Sequence, residues 1–476
     1  MAKPITTKKF ATNVIVSITA QLISLIVSVV LNLVVPKFID GYQYAYWQTY
    51  ALYVGYVGIL HFGLLDGLVL RYSKYDYEEL DRERLRSQFL ILLLFTSFIT
   101  VIISLISTLA LGGTYKYIFI LVAIGVVTKN FVTYGSYMFQ ITNRINKYAV
   151  MTICQRVAFG LITVVLLILK VNEFYWYCIA DLMGDAAAII IGLIFNRGLY
   201  FGKLLRASEA FRELKENISS GLLLMLANWS AMLLVGGAKM IVQWHWDELL
   251  FGRVSFAFSI SNLFLTFVSA ISVVLFPSLK RIDEEKLPEM YKSIRNVLSI
   301  LLFGMMIFYF FGCWILGVWL PKYSDSLVYL GILLPIIIYS SKVNLLTNNY
   351  LKVYRKEKTM LAVNFISITV GMAAFCLCAF VFDNLYALLI CVVIAVTLNS
   401  ILSEIFVLKI IRMRIIKEFI IEAVMTIGFI LSASMLPLWI GCLVYTALFV
   451  GYCLLNGKTI VFTIKNVLNK KKEDKQ

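Results

Sequence analysis

Charge is scarce in this chain: only 15% of its 476 residues are Asp, Glu, Lys or Arg, against about 25% in soluble globular proteins. Histidine is almost missing, with His61 and His245 alone. There is no GxxxxGK[ST] loop to cradle a nucleotide's phosphates, which excludes ATP hydrolysis within the chain. No CxxC pair occurs and no cysteine has a histidine near it, so neither a metal site nor another cofactor site is expected. Acid–base chemistry would have to rest on scattered carboxylates. Together these absences argue against an enzyme.

What fills the chain instead is apolar: 61% of residues are hydrophobic and the mean hydropathy is +0.86. That excess is too large for an enlarged soluble core. It excludes a cytosolic enzyme, a secreted disulfide scaffold and a disordered chain, and leaves an all-α polytopic membrane protein. Fourteen apolar stretches are long enough to span a bilayer: 11–35, 44–70, 89–111, 118–140, 149–169, 175–195, 219–243, 251–279, 297–320, 327–350, 360–382, 385–407, 419–435 and 439–455. The first is too long and unbroken for a cleaved signal peptide and stays as span one. All eight cysteines fall inside spans, where a thiol acts as a small apolar group.

The net charge of +16 raises the question of nucleic acid, and the positions of the bases answer it. If the N-terminus is cytoplasmic, 34 of the 43 Lys and Arg fall in inner segments. The outer loops, two to eight residues long, hold only Lys37, Lys116, Lys170 and Lys322. This is the positive-inside bias, with both termini cytoplasmic and an even number of spans. Tyr44, Tyr46, Trp47, Tyr175, Trp176, Trp244, Trp246 and Trp439 cluster at the outer interface, as aromatic belts do. The basic excess thus sets topology, and no nucleic-acid partner is expected.

Segments in the first half of the chain recur in the second. FQITNRINKYAVMTICQRV after span four is echoed by YLKVYRKEKTMLAVNFISI after span ten, with Arg144 and Lys147 matching Arg355 and Lys358 at an offset of 211. RYSKYDYEELDRERLRSQF after span two and KRIDEEKLPEMYKSIRNVL after span eight lie at nearly the same offset and read as amphipathic cytoplasmic helices. The expected organisation is two pseudo-symmetric six-helix lobes, 1–210 and 211–417, then an extra pair and a basic tail over 418–476.

Five bases lie inside spans, where an ionised group costs about 2.5–3.5 kcal/mol on insertion scales. Lys129 and Lys342 sit at equivalent depths in spans four and ten, 213 residues apart, and could converge on one anionic ligand. Arg156 stands in span five, with Asp181 and Asp185 on span six as partners within reach. Lys239 and Arg253 flank the outer turn between spans seven and eight, close enough to snorkel. His61 and Asp66 lie in span two among Gly55, Gly58, Gly63 and Gly67, which make that span bendable or closely packed. Asn228, Asn262 and Asn344 are suited either to sugar hydroxyls or to helix–helix hydrogen bonds. Glu404 and Glu422 are expected near enough to the inner face to reach water.

Two six-span bundles, an added pair, tiny outer loops and intramembrane bases resemble the polysaccharide-transporter branch of the MOP superfamily, the Wzx-type flippases of lipid-linked oligosaccharides. The segment FGLLDGLVLRYSKYDYEELDRERLRSQF, residues 62–89, is similar to the second-span and loop region of that family. The resemblance implies two lobes alternating between inward- and outward-open states in a bacterial cytoplasmic membrane. It also implies a glycan on polyprenyl pyrophosphate as cargo, with membrane lipid and glycan-assembly proteins as partners. In that fold spans one, two, seven and eight face the cavity, which favours His61, Lys239 and Arg253 over Lys129 and Lys342. Two alternatives are a cation-coupled multidrug antiporter of the same superfamily, driven by H⁺ or Na⁺ and needing an intramembrane carboxylate such as Asp181 or Asp185, and a membrane polymerase or glycosyltransferase, for which no catalytic loop is present.

Overall fold

The computed structural model describes residues 7–279, 285, 287–413 and 415–455. Lys3, Lys280, Arg281, Lys286, Arg414 and the basic tail from 456 onward, all counted among the inner bases, lie outside the described residues. Among those described there is helix and turn but no strand. Backbone polar groups in hydrocarbon must bond within their own segment, and the helix is the form that does so.

Among the described residues, eleven helices are long and apolar enough to cross a membrane, and three bent pairs, each taken as one span, bring the number to fourteen. They follow the fourteen apolar stretches in order. Spans one and three to six are Thr19–Phe38, Arg82–Ala110, Gly113–Ile141, Ile145–Ile168 and Phe174–Tyr200. Spans eight and nine are Glu248–Thr266 and Leu287–Trp319, and eleven to fourteen are Lys358–Val381, Leu385–Ile410, Ile416–Met435 and Leu438–Leu455.

The bent spans are two, seven and ten. Span two pairs Gly41–His61 with Leu64–Tyr72 at 56°. The break falls where Phe62 (φ 48°) and Gly63 (φ 82°) enter the left-handed region, which glycine enters without penalty. Span seven pairs Ala207–Ser230 with Met232–His245 at 55°. Span ten pairs Pro321–Leu333 with Ile336–Val353 at 49°, and Pro335 stands at the join; a proline inside a helix removes one backbone donor and clashes with the preceding turn. Further along span ten the helix widens to a π-turn over Lys342–Thr347.

The chain divides into two compact units. The first comprises Met1–Met232 with Trp246–Gly252, and the second Leu233–His245 with Arg253–Gln476. In the first unit, spans four and six are central: six packs on five and four, four on three, and both on span two. Gly184 lets spans five and six close up, since a Cβ there would lie 2.8 Å from the Gln155 carbonyl oxygen. In the second unit, span twelve is central against ten and eleven, and the pair thirteen–fourteen packs on nine and ten.

Four helix ends fall in two similar pairs. Span four ends at Asn143 (φ 52°) and span ten at Arg355 (φ 52°). Arg144 N–H donates to Phe139 O at 2.8 Å, and Lys356 N–H to Leu351 O at 2.8 Å. Span five ends at Lys170 (φ 53°) and span eleven at Asp383 (φ 45°). These are Schellman-type ends, in which a left-handed residue turns the chain back to satisfy a free carbonyl. The members of the two pairs lie 212 and 213 residues apart along the chain.

Candidate functional site

The first unit holds one cluster of charge deep within its spans. Lys129 of span four reaches across to span six, with Nζ 2.8 Å from Asp181 Oδ2 and 3.0 Å from Asp185 Oδ1. Asp185 also accepts from Thr128 Oγ1 and Gln155 Nε2, each at 2.8 Å, and Asp181 from the Tyr50 hydroxyl at 3.0 Å. Asp181 and Asp185 lie one turn apart on span six, so one ammonium meets both. Arg156, the partner expected for these aspartates, does not take them. It is half-buried, makes no ion pair among the described residues, and its Nε is buried without an acceptor. The cause is rotational: Lys129 on span four points at the carboxylates, whereas the contact from span five is made by Gln155.

The second unit holds a balanced quartet. Arg295 of span nine bonds Glu404 of span twelve through Nε, and its Nη2 lies 2.9 Å from Glu422 of span thirteen. Lys342 of span ten sits 2.7 Å from Glu404 and 2.8 Å from Glu422. Tyr291 donates to Glu404 at 2.8 Å and Ser299 to Glu422 at 3.2 Å. None of the four charged residues is more than 3% exposed. The expectation that Glu404 and Glu422 reach water is therefore corrected: two cations take the place of solvent. Arg295, counted by sequence as an inner-loop base, is buried as well. Lys342 is likewise not free to receive an anion, because both neighbouring carboxylates already neutralise it.

The remaining bases differ. Arg253 pairs with Asp325 at 2.8 Å rather than simply reaching for the interface. Lys239 is half-buried on span seven and has no carboxylate partner among the described residues; the centroid of the Phe258 ring lies 6.0 Å from its Nζ. That is the outer limit of a cation–π interaction, so its charge remains available.

At the break in span two, His61 and Asp66 are both buried. Gly63 N–H donates to His61 Nδ1 at 3.1 Å, and His61 Nε2 faces Asp66 Oδ2 at 3.7 Å. An accepting Nδ1 assigns the ring proton to Nε2, directed at the carboxylate. Asp66 therefore faces a neutral His61 across the break within its own span. Asn228, Asn262 and Asn344 are all exposed at mid-helix. Among the described residues, Asn228 and Asn262 make no helix–helix side-chain hydrogen bond, which counts against that reading for them. No group of three or more His, Cys, Asp or Glu side chains could hold a metal ion among the described residues.

No protein family and no curated protein matches the sequence. Solved structures match the fold. An inward-facing multidrug resistance transporter of the MATE family, in the MOP superfamily, superposes with a TM-score of 0.64 at 13% identity, covering 82% of this chain and 98% of its own. The lipid II flippase MurJ in an inward closed conformation also gives 0.64, at 14% identity over 94% and 100% of the two chains. A MOP superfamily transporter from Pyrococcus furiosus, described as having a binding pocket of reversed polarity, gives 0.53 at 12% identity over 84% and 95%. The chain is therefore a multi-pass helical membrane protein with the fold of MOP superfamily transporters. At these identities the likeness is one of fold, and it extends equally to drug exporters and to a lipid flippase.

Proposed function

We propose that the chain is a flippase that carries a glycan linked to polyprenyl pyrophosphate from the cytoplasmic to the outer leaflet, its two lobes alternating in access. The observation that carries this reading is the sorting of the intramembrane bases. Lys129, Lys342 and Arg253 are neutralised by carboxylates, whereas Arg156 and Lys239 are not. An unpaired cation inside a bilayer is costly and rare outside functional sites. A pyrophosphate needs such groups, because shedding its water is otherwise prohibitive. Arg156 and Lys239, each within its own unit, are the candidate cations for such a group, and the exposed Asn228, Asn262 and Asn344 are candidates for sugar hydroxyls. The likeness to MurJ supports a lipid cargo, the positive-inside bias supports cytoplasmic termini, and the resemblance to the flippase family supports a bacterial inner membrane.

A second reading has its own observation. The first-unit cluster holds two carboxylates for one ammonium, and that surplus acid favours H⁺ or Na⁺ as a coupling ion, as a cation-driven drug antiporter would also need. Reconstituted vesicles separate the two. Transfer of a fluorescent polyprenyl-pyrophosphate oligosaccharide to the outer leaflet, lost in Arg156→Ala/Lys239→Ala, is the expected result. Proton-driven export of cationic dyes, with no lipid transfer, would replace the flippase by the antiporter.

A further inference from the structure

In the first unit, spans three, five and six come together at the end that carries the basic loops. Span six leaves regular helix at Asn196 (φ −123°) and ends at Tyr200, beyond which residues 201–204 are exposed. Bases from two neighbouring segments gather round that end. Arg86 of span three donates from Nε to Gly198 O at 2.8 Å and from Nη1 to Lys203 O at 3.2 Å. Arg144, in the turn between spans four and five, donates to Asn196 Oδ1 at 2.6 Å and to Phe195 O at 2.9 Å. Lys147 Nζ stands 4.9 Å from the centroid of the Phe195 ring. Arg82 lies over Gly198, where an added Cβ would be 3.4 Å from its Nη1. Tyr77 links the two arginines, its ring centroid 4.1 Å from Arg144 Cζ and 5.5 Å from Arg82 Cζ.

A helix C-terminus attracts bases, and the carbonyls they cap account for Arg86 and Arg144. They do not account for Arg82 and Lys147. Neither side chain has a hydrogen bond, and none of the four bases has a carboxylate partner, among the described residues. The acids of the adjoining loop are engaged elsewhere. Glu79 accepts from Asp76 N–H at 3.3 Å in a capping box, and Asp81 pairs with Arg84 at 2.9 Å. Cations sharing one aromatic ring and one helix end repel each other unless an anion lies among them. The surface beside them is apolar: Ile194 is 64% exposed and Phe201 61%.

We propose that this junction binds the phosphate headgroup of an anionic phospholipid in the cytoplasmic leaflet. Arg82, Arg144 and Lys147 are its cations, and Ile194 and Phe201 lie against its acyl chains. Exposed apolar side chains next to unneutralised bases, at the ends of membrane spans, fit a lipid better than a soluble anion. Because the bases come from separate segments, one headgroup ties the start of span three and the four–five turn to the end of span six. The site lies at the end of the spans, apart from Arg156 and Lys239, and holds its lipid whatever cargo the chain carries.

Native mass spectrometry of the full chain reads the lipid directly. Cardiolipin, which carries a pair of phosphates, is expected to stay bound where phosphatidylcholine does not, and to raise the melting temperature. Arg82→Gln/Lys147→Gln should weaken cardiolipin by more than tenfold, at about fivefold per base, and abolish that rise. Without lipid, this variant should melt as the wild type does, since neither side chain holds a hydrogen bond in the fold. Arg82→Lys, which keeps the charge, should bind nearly as well as the wild type. Arg212→Gln/Lys215→Gln removes the same charge from two exposed bases of the same unit and should leave binding unchanged. Undiminished cardiolipin binding in Arg82→Gln/Lys147→Gln, or an equal loss in Arg212→Gln/Lys215→Gln, would overturn the site. Displacement of the lipid by excess inorganic phosphate would also overturn it, by making the occupant a soluble anion.

Discussion

At the scale of the residue, the meaning of each intramembrane charge lies in what faces it. Lys342 and Lys239 are both lysines within spans, but the first closes a neutral quartet and the second stands alone. Removing one member of a buried set leaves its partner charged and unpaired, which costs about 3–5 kcal/mol. Lys342→Met should therefore lower thermal stability sharply, and Lys342→Met/Glu404→Gln should regain much of it. Lys239→Ala should change stability by less than about 1 kcal/mol. A melting experiment in detergent checks all three, and equal losses at Lys342 and Lys239 would contradict the sorting. Composition and depth alone single out Lys129, Arg156, Lys239, Arg253 and Lys342. Which carboxylate each one meets depends on how neighbouring helices are rotated, and that phase is not visible in apolar spans. Arg156 and Lys129 therefore exchange their expected roles. Arg295 escapes notice for a simpler reason: it stands at a span edge, where a base reads as topology.

At the scale of the element, span positions are legible because a bilayer demands long apolar runs, and every one of the fourteen stretches corresponds to a helix or a bent pair. The breaks are partly legible. Gly63 and Pro335 announce theirs, whereas the bend after Ser230 in span seven has neither glycine nor proline to mark it. The close approach of the Gly63 and Gly67 backbone to that of Asn217 and Gly221, and the Arg71–Glu213 pair beside it, are not legible, since they join segments about 150 residues apart by a register that only the fold sets. Helix ends add a testable point. Arg355 closes span ten in a left-handed conformation (φ 52°), which costs a side-chain-bearing residue about 1–2 kcal/mol. Arg355→Gly should raise the melting temperature, whereas Gly67→Leu, at a backbone crossing, should lower it. A fall on Arg355→Gly would show that its side chain holds the turn.

At the scale of the whole molecule, basic loops and left-handed turns at Asn143 and Arg355 recur at similar spacing along the chain. The two units nonetheless treat their intramembrane lysines differently, one with surplus acid and the other in balance. Orientation follows from the loops: a cysteine placed at Asn172 should react with an impermeant thiol reagent from outside intact cells, and one at Asn146 should not. The central claim, that unpaired cations receive an anionic lipid headgroup, is tested most directly by binding. Undecaprenyl pyrophosphate without sugar is titrated into the nanodisc-held chain and its affinity compared with that of Arg156→Ala/Lys239→Ala. The account predicts a loss of at least about tenfold, the worth of one charge-assisted contact, with Lys129→Ala/Asp181→Asn affected far less. Equal affinity for the wild type and the Arg156→Ala/Lys239→Ala variant would contradict it.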